Sequence, residues 1–92
     1  MGDLRRKTFL IESFVPQLDV RIATSLATRL HRVVMELREE GAAVEWLGSL
    51  SLLDEETLLY LIGAPDADHI ANLNKRAGVE SDHVVEVLAI DP

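Results

Sequence analysis

The 92 residues suit one small domain, 1–92, and a chain this short buries only about two thirds of the surface that its unfolded form exposes, so self-association is a natural way to bury more. A hydrophobic content of 48% argues against disorder, and no uncharged run approaches the roughly 20 residues of a membrane span. Acids outnumber bases 16 to 9, and a net charge of -7 repels a phosphate backbone, so neither nucleic acid nor membrane is an expected partner.

Residues 1–7 read as a solvated lead-in. The cluster Arg5-Arg6-Lys7 is not followed by an apolar segment of signal-peptide length free of charge, because Glu12 interrupts it. Arg6 also stands where a myristoylation signal needs Ser or Thr. The chain has no cysteine, which rules out disulfides and thiolate chemistry and makes a reducing cytoplasm the expected compartment.

Thr8 to Phe14 is an apolar, partly β-branched run that Pro16 closes, and it reads as the first strand. From Asp19 to Glu40, Ile22, Leu26, Leu30, Val33 and Leu37 recur at helical spacing, with Asp19 as N-cap and Gly41 as terminator. Val44 to Leu53 and Thr57 to Ala64 read as a hairpin about the acidic turn Asp54-Glu55-Glu56. Pro65 and Asp66 open a second helix, capped by Asp66, striped by Ile70, Leu73 and Ala77 and ended by Gly78. His83 to Ile90 gives the last strand. The order βαββαβ predicts an α+β, ferredoxin-like fold, with a four-stranded antiparallel sheet of order 4-1-3-2 and both helices on one face.

Two acids interrupt these strands, Glu12 in FLIESFVP and Glu86 in HVVEVLAI. Strand alternation sends Phe9 and Ile11 inward and Glu12 outward; placing Val85, Val87 and Ala89 under the helices turns Glu86 outward as well. Tyr60 joins Ser49, Ser51 and Leu47 on one face if the hairpin loop is even, and this more polar set is assigned to the open face. That face would then hold Leu10, Phe14, Leu47, Leu58, Ile62, Val84 and Leu88 around Glu12, Glu86, Tyr60 and Ser49. It is too apolar for a monomer's surface, so a homodimer closing over a partly polar cavity is expected. Glu12, Glu86, Tyr60 and Ser49 are the candidate ligand-binding residues, and Glu12, Glu86 and His83 the candidate ligands of a divalent metal, although His83, three residues before Glu86, should point to the opposite face unless a bulge intervenes. The plainer alternative for the acids is a solvated patch or bonds across the interface.

The remaining polar groups point to ordinary roles. His31 and His69 read as surface or capping residues, since no histidine pair has the i, i+4 spacing of a helical metal site. The acids at the hairpin tip read as a solvated turn, Trp46 as a packing residue beside Gly48, and no phosphate loop or nucleophile elbow occurs.

The segments FLIESFVP, WLGS, APDADHI, NKRAG and SDHVVEV together resemble a family of small bacterial ferredoxin-like domains of unknown function that includes an actinobacterial nickel-binding protein. The resemblance runs from Thr8 to Ile90 and implies a homodimer of the dimeric α/β-barrel type. The leading expectation, drawn from the pair of acids on the predicted open face, is a small cytoplasmic homodimeric binding protein that holds a divalent metal such as nickel or a small molecule near Glu12, Glu86 and Tyr60. Here Glu12, Ser13 and Phe14 stand where that nickel-binding relative is histidine-rich, and Leu59, Tyr60 and Leu61 where it carries a cysteine, so the soft and imidazole ligands that favour nickel are missing. Two other functions belong to the same fold. One is a cofactor-free enzyme like the small monooxygenases and isomerases, with a Glu as general base and Tyr60 or Ser49 as donor to an oxyanion. The other is a purely structural or interaction module.

Overall fold

A computed structural model describes residues 6–88. In chain order these form β1 (Lys7–Phe14), α1 (Val20–Glu39), β2 (Glu45–Leu52), a 3-10 turn (Leu53–Glu55), β3 (Thr57–Ala64), α2 (Ala67–Ala77) and β4 (His83–Val87). The sheet runs β2-β3-β1-β4 and every described pairing is antiparallel, which is the predicted βαββαβ topology. The molecule is only 18 Å through its shortest dimension, the thickness of one helix layer on one sheet.

Both helix starts follow from local chemistry. The Asp19 carboxylate accepts the Ile22 amide at 2.8 Å, and that of Asp66 accepts the His69 amide at 3.1 Å, each satisfying a donor the helix itself cannot. Asp19→Ala is expected to cost about 1 kcal/mol of unfolding free energy by urea titration, the usual value of such a cap; no loss would assign the helix start to Leu18 packing alone. Gly78 ends α2 at φ 69, a left-handed turn that a side chain would strain. The helices are tied at one end by a two-pronged bond from Arg76 to Glu40, at 2.6 and 3.0 Å, which holds the Glu40 carboxyl below its ordinary range.

α1 lays Ala23, Leu30, Val33, Val34 and Leu37, and α2 lays Ile70, Leu73 and Ala77, onto Phe9, Ile11, Leu58, Tyr60 and Ile62 of β1 and β3. Here the structure corrects the sequence reading. Phe9 and Ile11 face inward as expected, but Ile11 pairs with Tyr60 and Phe9 with Ile62, so Tyr60, Leu58 and Ile62 belong to the core and not to the open face. Ser49 and Ser51 pair with Tyr60 and Leu58 and do share their face, on the helix side. Both alternating sets of β3 are apolar, Leu58-Tyr60-Ile62 and Leu59-Leu61, so composition could not choose between them. Leu47 is the extra residue of a bulge between Trp46 and Gly48, where Gly48 takes φ 146, a conformation that favours glycine.

β4 is inverted by the same kind of error. Glu86 pairs with Phe9 and Val84 with Ile11, which puts Glu86 and Val84 on the helix side, while Val85 and Val87 pair with Leu10 and Thr8 on the open face. β4 is an edge strand exposed on both faces, so Glu86 meets solvent and the Lys7 ammonium at 3.6 Å instead of a core. Leu88, also expected outside, follows the strand's end and is exposed, and Ala89 and Ile90 lie outside the described residues.

Candidate functional site

On the face that no helix covers, the pairings build cross-sheet rows. Val87, Thr8, Gly63 and Glu45 form the first, Val85, Leu10, Leu61 and Gly48 the second, and His83, Glu12, Leu59 and Leu50 the third; Phe14, Thr57 and Leu52 make the fourth. The centre around Leu10, Leu59, Leu61 and Leu50 is therefore aliphatic, with Leu50 68% exposed, and Phe14 of the outer row is 57% exposed. The charged groups are Glu45 in the first row and Glu12 beside His83 in the third.

At one end the Arg6 guanidinium crosses the sheet to pair with Glu45 on β2. It can do so because Gly63 has no side chain: a Cβ there would lie 2.7 Å from the Arg6 Nε. Near the other end His83 stands opposite Glu12, and β4 is pinned there by Asp82, whose amide donates to the Glu12 carbonyl at 2.8 Å and whose carboxylate accepts the Phe14 amide at 2.6 Å. Glu12 is half-buried, and among the described residues no side chain bonds or pairs with its carboxylate.

Between these margins lies a shallow dent of about 190 Å³, lined mainly by Leu10, Gly48, Leu50, Leu59 and Leu61. It also touches Ser49 and Tyr60, whose side chains lie on the reverse of the sheet by register. The Gly48 bulge helps form it, since a Cβ at that residue would meet nothing within 4 Å.

The structure thus scatters part of the expected constellation. Glu12 keeps its place on the open face, and His83, expected to point away, faces it directly. Glu86 is on the opposite side of the sheet. Among the described residues, no three His, Asp or Glu side chains gather in a metal-sized cluster.

Tyr60 is withdrawn into the core, where its hydroxyl donates to the Asn74 Oδ1 at 2.6 Å, and the Asn74 Nδ2 donates in turn to the Ser81 hydroxyl at 3.0 Å. Burial pushes the Tyr60 phenol above its ordinary range, and the neighbouring Ser13 hydroxyl draws it part of the way back without an aligned hydrogen bond. On its other side Tyr60 stacks on Trp46, ring centroids 6.4 Å apart, which gives Trp46 the packing role expected of it, while His31, on the exposed face of α1, adjoins Trp46 at 5.6 Å. His69 likewise sits against its cap, its ring nitrogen 2.7 Å from Asp66.

The residues that sequence reasoning missed are Leu50, Leu59, Leu61 and Gly48, which form the dent itself. Their signal was present in the strict alternation of Leu50 with Leu52 and of Leu59 with Leu61, but it competed with an equally apolar opposite set. Asn74 gave a clearer hint, being an amide within the apolar stripe of α2 that needs a buried partner.

No family model matches the chain, and no curated protein matches it. Among solved structures it is similar to the crystal structure of SCO4226 from Streptomyces coelicolor A3(2), at 15% sequence identity and a TM-score of 0.71, over 91% of this chain and 99% of that one. That likeness establishes the ferredoxin-like α+β fold.

Proposed function

We propose that this is a cytoplasmic homodimeric binding protein, in which two open sheet faces pair and hold a small molecule between them. The observation that carries this reading is the aliphatic cluster of Leu10, Leu50, Leu59 and Leu61 around a dent on the open face, with Glu12 as the charged group beside it. Exposed apolar area of this kind is costly in water and marks an interaction surface. The dimensions support a second copy as its cover. Three strands of eight residues and one of five, about 4.8 Å apart, give a face of roughly 450 Å². Pairing two of them removes about 900 Å², close to the roughly 1,000 Å² of a small specific interface.

The catalytic alternative loses both of its oxyanion donors from the open face, because the Tyr60 hydroxyl is engaged with Asn74 on the other side of the sheet and Ser49 shares that side by register. Sedimentation equilibrium of the purified chain at micromolar concentration is expected to give a dimer. A monomer at that concentration would overturn the reading.

A further inference from the structure

The dent and the margin beside it have different chemistry, and together they describe a ligand. The dent offers an aliphatic surface to an apolar group. One strand away, in the same cross-sheet row as Leu59 and Leu50, stands Glu12, a half-buried carboxylate with no bonded side chain among the described residues. The opposite margin is already neutralised, because Arg6 is paired with Glu45.

We infer that the open face binds a small amphipathic amine, with the apolar body in the dent of Leu10, Gly48, Leu50, Leu59 and Leu61 and the ammonium on the Glu12 carboxylate. Three features favour a cation over a neutral or anionic ligand. Glu12 adjoins Leu59, so an arm of two or three atoms reaches the carboxylate from the dent. His83 opposite forms no ion pair with Glu12, and no other described side chain bonds to the acid. The net charge of -7 raises the local concentration of cations and repels anions.

This inference rests on the dimer reading for its energetics. Closing two sheets over one another takes water from both copies of Glu12, and a cation bound there offsets the cost of desolvating each charge. The ammonium donates to Glu12 while the partner's face covers the apolar body.

The test uses the chain dialysed against a chelator, titrated with 2-phenylethylamine and separately with 2-phenylethanol at low salt, and followed by amide chemical shifts. Both are expected to shift Leu10, Leu59 and Leu61, with the amine about tenfold tighter, as one partly desolvated charge pair allows. Glu12→Gln is expected to bring the amine down to the alcohol's affinity and leave the alcohol unchanged, which also reports that the variant is folded. Equal affinities in the wild type, no binding of either compound, or a preference that survives Glu12→Gln would overturn the inference. Sedimentation on the same samples separates it from the reading it rests on. A dimer that does not discriminate removes the amine site alone, and a monomer that discriminates removes the dimer alone.

Discussion

With two copies paired through the open face as proposed, Leu61→Asp is expected to leave the chain monomeric, weakening association at least about a hundredfold. Leu61 lies in the central row of the open face, between Leu10 and Gly48, so a face-to-face partner removes its surroundings from water. A carboxylate there must either lose its hydration or hold the sheets apart, and a two-fold contact introduces it twice. Uncompensated charge in a closed interface costs several kcal/mol, more than at the half-buried Leu61 position of the monomer. The control is Met35→Asp, the same exchange on the outer surface of α1, where Met35 is 47% exposed and far from the sheet face. Sedimentation should show Met35→Asp as a dimer and Leu61→Asp as a monomer, with cooperative urea unfolding showing that both variants are folded. If Leu61→Asp stays dimeric, the copies pair through another surface.

What the sequence could and could not reveal follows the range of the forces involved. The caps Asp19 and Asp66 and the terminator Gly78 were legible because each satisfies backbone groups within four residues of itself. The element order was legible too, and with it the topology. Faces were harder. A strand's side chains alternate with period two, so one wrong decision inverts every residue on it, and in β3 and β4 both sets contain enough aliphatic residues to pass as core.

Leu10 and Glu12 were placed correctly because β1 has one plainly inward pair, Phe9 and Ile11. Tyr60 and Ser49 were grouped together correctly and assigned to the wrong side, because polarity was read as a sign of exposure. In the structure it is a sign of partnership, since the Tyr60 hydroxyl has Asn74 waiting 14 residues further on. Glu86 failed for a different reason. As an edge strand beyond the helices, β4 lets an acid stand on the helix side without being buried, so the rule that apolar residues go beneath helices did not apply to it. His83 followed Glu86 in error and in the opposite sense, which is why it came to face Glu12.

The Tyr60–Asn74 bond is the second place where a single substitution should matter most, and there the effect falls on folding and not on association. Both residues are buried, and the 2.6 Å bond connects the central strand β3 to α2 across the core. Tyr60→Phe leaves the Asn74 carbonyl without its donor, and Asn74→Leu leaves the Tyr60 hydroxyl without its acceptor and the Ser81 hydroxyl without its donor. An unsatisfied buried polar group costs about 1–3 kcal/mol, so each single variant is expected to lose roughly that much by urea unfolding, Asn74→Leu the more. Removing both partners leaves no orphan within the pair. The double variant should therefore be less destabilised than the sum of the singles by about 1–2 kcal/mol, the coupling typical of a buried contact. Strict additivity would mean that the two groups are held in place by their separate packing, Tyr60 by Trp46 and Asn74 by α2, and that the bond between them contributes nothing to the fold. Ser13 gives an internal check: its hydroxyl is buried beside Tyr60 with no aligned partner, so Ser13→Ala should cost less than either single change. A loss as large as that of Asn74→Leu would make Ser13 a full member of the chain of bonds that runs from β1 through Tyr60 and Asn74 to the start of β4.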